Sequence, residues 1–125
     1  MKTDISNRED IELLVNTFYD RVRTDGVIGY LFTDVARVDW SEHLPKMYNF
    51  WENILFYTGN YSGSPMLVHR ELHQKSTMNE GHFQHWVTLF TATVDDLFEG
   101  ERATEIKDRA TNIAGVMMYK TLNKF

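Results

Sequence analysis

The sequence predicts an all-α fold on three observations. Apolar residues recur at helical spacing along three long stretches, capping pairs and glycines mark where such stretches begin and end, and no stretch alternates with the period of two that a strand requires. With 125 residues, 42% of them apolar and 14% aromatic, the chain is long enough to build one compact core and too short to suggest two. A single domain over residues 1–125 is therefore expected.

The first helix is announced by Ser6 and Glu9, whose S-x-x-E spacing lets a hydroxyl and a carboxylate each satisfy a backbone donor at a helix start near Asn7. Behind it Ile11, Leu14, Val15, Phe18, Tyr19 and Val22 form one amphipathic stripe, which Asp25-Gly26 ends. Tyr19 lies on the buried side of that stripe while carrying a hydroxyl that wants a partner, so from the residues alone it reads first as a core tyrosine. The run VIGYLF over 27–32 is too short to classify by period, and a single helical turn ending in a buried Phe32 is expected there.

Asp39 and Glu42 offer a weaker cap for a second long helix whose inward positions are Trp40, His43 or Leu44, Met47, Phe50 or Trp51, Ile54 and Leu55, with Gly59 as its end. Pro45 requires either that the regular helix begin close to His43 or that its first part be kinked, because a proline past the first turn removes a hydrogen bond. In both cases His43 stands one turn before Met47 on the same face. TGNYSGS over 58–64 is a connection, Pro65 opens a short helix to about His73, and Thr77 with Glu80 caps a third long stripe: Phe83, Trp86, Val87, Phe90, Val94, Leu97 and Phe98, closed by Gly100. A last helix from about Arg102 to Leu122 turns Ile106, Ala110, Ile113, Met117 and Leu122 inward.

Composition removes several function classes. The net charge is −5 and the Lys and Arg residues are scattered singly, which argues against nucleic acid as a partner. Without cysteine there is no disulfide frame, thiolate zinc site, iron–sulfur cluster or thiolate-bound haem. The polar, acidic N-terminus lacks the apolar core of a signal peptide, and no apolar run approaches the ~20 residues of a membrane span. A soluble cytoplasmic protein with no membrane partner is expected.

Four of the five histidines fall between residues 61 and 86. His69 and His73 share one face of the short helix, and His82 and His85 form a second pair. For zinc the set lacks a completing carboxylate, since Arg70 follows His69 where a protease site would have glutamate. Charged neighbours mark His73, His82 and His85 as mostly solvated. Neither G-x-S-x-G nor a Gly-rich phosphate cradle is present. From the residues alone His69 stands open among iron ligand, zinc ligand and packed core residue. Haem fits because a flat apolar macrocycle wants an aromatic slot and one axial imidazole, although aromatic stripes at helical spacing are more often core alone.

Segment by segment, however, the chain resembles the group III truncated haemoglobins, small globins of bacteria. The matching pieces are FYDRV at 18–22, YLF at 30–32, HLPKMYNFW at 43–51, YSGSPMLVH at 61–69, HFQHWVTLF at 82–90 and the 110–114 region, in the family's order and over nearly the whole chain. The resemblance implies a compact globin fold that holds haem b between the helix of His43–Trp51 and the short helix of His69. It implies His69 as the axial iron ligand, Tyr19, His43 and Trp86 as the residues facing the bound gas, and Phe32, Met47, Phe50 and Trp51 as lining of the haem pocket. Between His69 and HFQHW the chain carries RELHQKSTMNEG, longer than in some members and without the proline often found there, which keeps His73 as a rival to His69.

The resemblance further implies reversible binding of O2, NO and CO. Hydrogen bonds from the Tyr19 hydroxyl and the Trp86 indole N–H to a partly anionic oxygen ligand slow its release, which suits redox chemistry of O2, NO or peroxide better than bulk oxygen delivery. An NO dioxygenase-like or peroxidase-like activity served by a reductase of unknown identity is the expectation. A haem-based sensor or an oxygen carrier working through a partner protein is the alternative.

Overall fold

The computed structural model describes residues 2–31, 39–56 and 80–122, apart from the side chains of residues 80 and 117–122. Within them four helices follow in order: α1 (Arg8–Thr24), α2 (Trp40–Phe56), α3 (Glu80–Leu97) and α4 (Glu101–Leu122). No strand occurs among the described residues. The expected ends of the second helix at Gly59 and of the short helix near Pro65 lie outside them, as do Phe32 and His69.

The six apolar positions of the α1 stripe, Ile11, Leu14, Val15, Phe18, Tyr19 and Val22, are all buried. Burial of each contributes about 1.5–3 kcal/mol, so the stripe, rather than intrinsic propensity, holds this helix. Its cap sits one residue later than the S-x-x-E spacing suggests. Asn7, in an extended conformation, accepts the Asp10 N–H at 2.9 Å, while the Asp10 carboxylate accepts the Ser6 N–H at 2.8 Å. Asn7 thus caps the helix in place of Ser6, and Asp10 reaches back to the N–H of the residue before the cap rather than to that of the cap itself. Glu9 and Asp10 in the first turn and Arg21 and Arg23 in the last complement the helix dipole.

The helix stops at Asp25, whose carboxylate accepts the backbone N–H groups of Val27 and Ile28 at 2.8 and 3.0 Å and so begins the next turn. That turn buries Ile28 and Leu31 and exposes Val27 and Tyr30. It folds back so closely that a Cβ on Gly29 would lie 2.7 Å from the Val22 carbonyl, which explains a glycine there.

Helix α2 resolves the question posed by Pro45. The regular helix starts at Trp40, before His43, and runs through Pro45 to Phe56. Asp39 supplies the start, accepting the Ser41 N–H and hydroxyl on its carboxylate and the Glu42 and His43 N–H groups on its carbonyl. Arg8 of α1 binds Asn49 and Glu52 of α2 at 2.8 and 3.0 Å, and the Tyr48 hydroxyl donates to Asn16.

The core lies where α1 packs on both α2 and α3, and α4 closes it against α3 and α2. Phe83, Trp86, Phe90, Val94 and, beyond the helix end, Phe98 are buried as the α3 stripe predicts, while Val87 and Leu97 are half-buried. Thr93, fully buried, escaped the apolar pattern. Its hydroxyl donates to the Leu89 carbonyl at 2.8 Å and accepts from Arg21 at 3.1 Å, which ties α1 to α3. On α4 the small residues Ala103, Ala110 and Ala114 are buried with Ile106, which lets the helix approach α3 closely.

Candidate functional site

The site grows from two helical faces. On α1 the spacing of Phe18, Tyr19 and Val22 turns Tyr19 toward α2. On α2 the spacing of Trp40, His43, Met47 and Phe50 with Trp51 turns that row toward α1 and α3. The Tyr19 ring meets the His43 ring at 5.1 Å, nearly perpendicular, and the Trp40 ring at 5.4 Å. Two of the three expected ligand-facing residues, Tyr19 and His43, are therefore in direct contact.

Trp86 belongs to the same aromatic body by a different route. Phe18 sits between them, edge-on to Tyr19 at 4.9 Å and to Trp86 at 5.7 Å. Trp86 in turn stacks on Phe90 at 5.6 Å with only 11° between the planes, and Phe90 stacks on Trp51 at 5.0 Å. Phe50 abuts Trp51 edge-on at 4.9 Å. Met47, Phe50 and Trp51 are all buried, so the α2 row expected to line the pocket forms one apolar wall continuous with α3. Edge-to-face and offset stacks of this kind fix ring orientation as well as burying area.

Polar atoms are set into this wall. Tyr19 is 3% exposed, and the ring nitrogens His43 Nε2 and Trp86 Nε1 are buried. Burial raises the Tyr19 phenol above its ordinary range, because an anion there would lose its hydration. It therefore remains a neutral O–H, able to donate, throughout the physiological range. Flat apolar walls with three hydrogen-bonding groups set among them fit a planar macrocycle carrying a small polar guest. The remaining two assignments, Phe32 and His69, lie outside the described residues, where the fourth expected histidine, His73, also falls.

His82 and His85, expected to be mostly solvated, are half-buried. His85 Nε2 lies 2.8 Å from the Asp25 carboxylate, which ties α3 to the end of α1. Burial alone would raise the Asp25 carboxyl, but the His85 ring and the Ile28 and Val27 N–H groups outweigh it and hold the carboxyl below its usual range. His82 rests edge-on against Tyr30 at 6.4 Å. No helix among the described residues is long and apolar enough to cross a membrane.

Trp40 is the site neighbour that sequence reasoning used only as a core position. The available signal was its spacing, three residues before His43 on one helical face, opposite Tyr19 and Arg23, which are four apart on another.

Comparison with known proteins shows the family and the fold. The family model for bacterial-like globins matches residues 3–119. A Group 3 truncated hemoglobin of Campylobacter jejuni is 32% identical over 126 aligned positions, covering 96% of this chain and 97% of that protein. The crystal structure of a group III truncated hemoglobin from Campylobacter jejuni superposes with a TM-score of 0.82 at 30% identity, covering 97% of this chain and 95% of the other. Globins bind haem and, through it, diatomic gases. The chain belongs to the bacterial-like globin family and is, within it, a group III truncated haemoglobin.

Proposed function

We propose that this single-domain globin binds haem b through His69 and presents Tyr19, His43 and Trp86 to a diatomic guest, in the service of redox chemistry of O2, NO or peroxide rather than bulk oxygen delivery. The observation that carries the reading is the buried, neutral Tyr19 phenol in ring contact with His43 and joined to Trp86 through Phe18. Haem, when bound, would supply an iron able to take the gas. Met47, Phe50 and Trp51, with Phe32, would hold the macrocycle by apolar contact and keep water from it.

Tyr19 and Trp86 are donors. A hydrogen bond from each to a guest carrying partial negative charge contributes roughly 1.5–3 kcal/mol, and each 1.4 kcal/mol slows release about tenfold. A protein that retains its guest so strongly unloads poorly, which favours reaction in place over carriage. A reductase supplying electrons and a cytoplasmic setting complete the proposal.

The O2 dissociation rate of the Tyr19→Phe, Trp86→Phe double variant tests it. A rise of roughly a hundredfold or more is expected from the loss of two donors, about tenfold or more for each; a rate equal to the parent's defeats the donor role. The axial assignment is checked separately by the Soret band after haem reconstitution, whose histidine-ligated character should vanish in His69→Ala and persist in His73→Ala.

A further inference from the structure

We propose that Trp40 is the positioning residue of the Tyr19–His43 pair: its indole packs against both rings and holds the His43 ring against Tyr19, with Arg23 latching it from the solvent side. The inference rests on the reading of Tyr19 and His43 as guest-facing groups.

Two pairs of residues make the arrangement. Tyr19 and Arg23 are four apart on α1, and Trp40 and His43 are three apart on α2, so each pair shares a face and the two faces meet. The Trp40 ring centroid is 5.4 Å from that of Tyr19 and 5.8 Å from that of His43, and Tyr19 and His43 are themselves 5.1 Å apart. Three rings in mutual contact are interlocked, and in a close-packed setting none turns far without displacing another. Tyr19 is buried while Trp40 and His43 are half-buried, so the cluster grades from solvent inward.

The Arg23 guanidinium lies 4.6 Å from the Trp40 ring centroid and is steadied by Asp20 at 3.4 Å. A planar, weakly hydrated guanidinium is well suited to cover an indole face. The backbone at Trp40 is fixed independently, because the Asp39 carbonyl accepts the Glu42 and His43 N–H groups at 3.1 and 2.8 Å. The cap thus sets where the indole starts and Arg23 sets where its ring lies. A guest reaching Tyr19 from the side of Trp40 would have to displace Trp40 or His43, and the orientation of the His43 ring follows from the indole beside it.

The test uses the haem-loaded protein with CO as probe, reading the association rate after flash photolysis and the C–O stretching band, which reports the local field on the guest. Trp40→Ala should raise association by about fivefold, the factor that ~1 kcal/mol gives, and shift or split the band. Trp40→Phe, which keeps a ring, should return both most of the way to the parent. Arg23→Gln should raise association by roughly twofold with a smaller band shift; at a residue 37% exposed it leaves the core intact and carries the test even if Trp40→Ala fails to fold. Parent-like rates and an unmoved band in the variants that fold overturn the inference. Tyr19→Phe, measured alongside, separates the two levels: an unmoved band there overturns the reading of the pocket, whereas a moved band with parent-like Trp40 and Arg23 variants overturns the role of Trp40 alone.

Discussion

The aromatic face around Tyr19 and the corner around Asp4 are held together by different interactions. At the corner the Asp4 carboxylate accepts the N–H groups of Arg102 and Ala103 at 2.9 Å each, capping α4 from a residue close to the other end of the chain, and it also accepts the Ile5 N–H. The Arg102 guanidinium returns a bond to the Ile5 carbonyl at 3.1 Å, and the Glu99 N–H binds the Thr3 carbonyl. Polarity there is absorbed by backbone and closes the fold. Around Tyr19, by contrast, the contacts described are between rings: Tyr19 meets His43, Trp40 and Phe18, and Phe18 meets Trp86, so that aromatic packing sets the orientation of the side chains. The difference separates a joint fixed by main-chain hydrogen bonds from a face fixed by ring packing.

Substitution at the ring that underlies the aromatic face should produce the largest effect. Phe90 is fully buried and stacked between Trp51 and Trp86, so Phe90→Ala is expected to cost about 3–5 kcal/mol in urea unfolding. It should also alter gas-binding kinetics by loosening Trp86. A large loss of stability with unaltered kinetics would show that Trp86 is not positioned by this stack.

The corner should respond in stability alone. Gly100 has φ of 149°, and a Cβ there would stand 2.5 Å from Asp4 Cγ. Gly100→Ala is expected to cost roughly 2 kcal/mol or more from strain and a displaced cap, while the C–O stretching band of the CO complex stays in place. A moved band would break the separation of joint from pocket. Burial tends to raise the Asp4 carboxyl, but its bonds to the Arg102, Ala103 and Ile5 N–H groups and the Arg102 charge prevail and lower it below the unfolded value of 3.8. The folded state then binds fewer protons than the unfolded state near that pH, so the Asp4 contribution is complete above 3.8 and is lost as pH falls through the depressed value.

The smallest effect on stability is expected at the centre of the pocket. The Tyr19 phenol is raised above its ordinary value of 10.0 by burial, so the folded protein retains a proton that the unfolded chain gives up above pH 10. Stability from this source is complete below pH 10 and declines as pH climbs beyond it. Tyr19→Phe should change unfolding free energy near neutrality by no more than about 1 kcal/mol and reduce the alkaline decline. An identical alkaline profile in parent and variant would show that Tyr19 is not the group responsible.

The sequence by itself determined the helices whose apolar stripes are long. All six α1 positions are buried as their spacing requires, and the Gly100 break falls between α3 and α4, because an amphipathic face of four or five turns leaves few ways to hide it. It also placed Tyr19, His43 and Trp86 on inward faces. Local competition among neighbouring caps was not legible in the same way: Ser6 and Asn7 both qualify, and the choice fell to Asn7 through Asp10. Nor was the path through Pro45, where packing of Met47, Phe50 and Trp51 on one side and the Arg8 bonds to Asn49 and Glu52 on the other accompany a helix that begins at Trp40.

Tertiary structure alone decided the pairings across distance. That Asp25 meets His85, that Asp4 caps α4, that Thr93 receives Arg21 and that Trp40 lies between Arg23 and the Tyr19–His43 pair depend on how the helices cross. Periodicity states which face of a helix is hidden, but it carries no information about which residue of another helix will stand opposite, since that is set by the packing of the whole core.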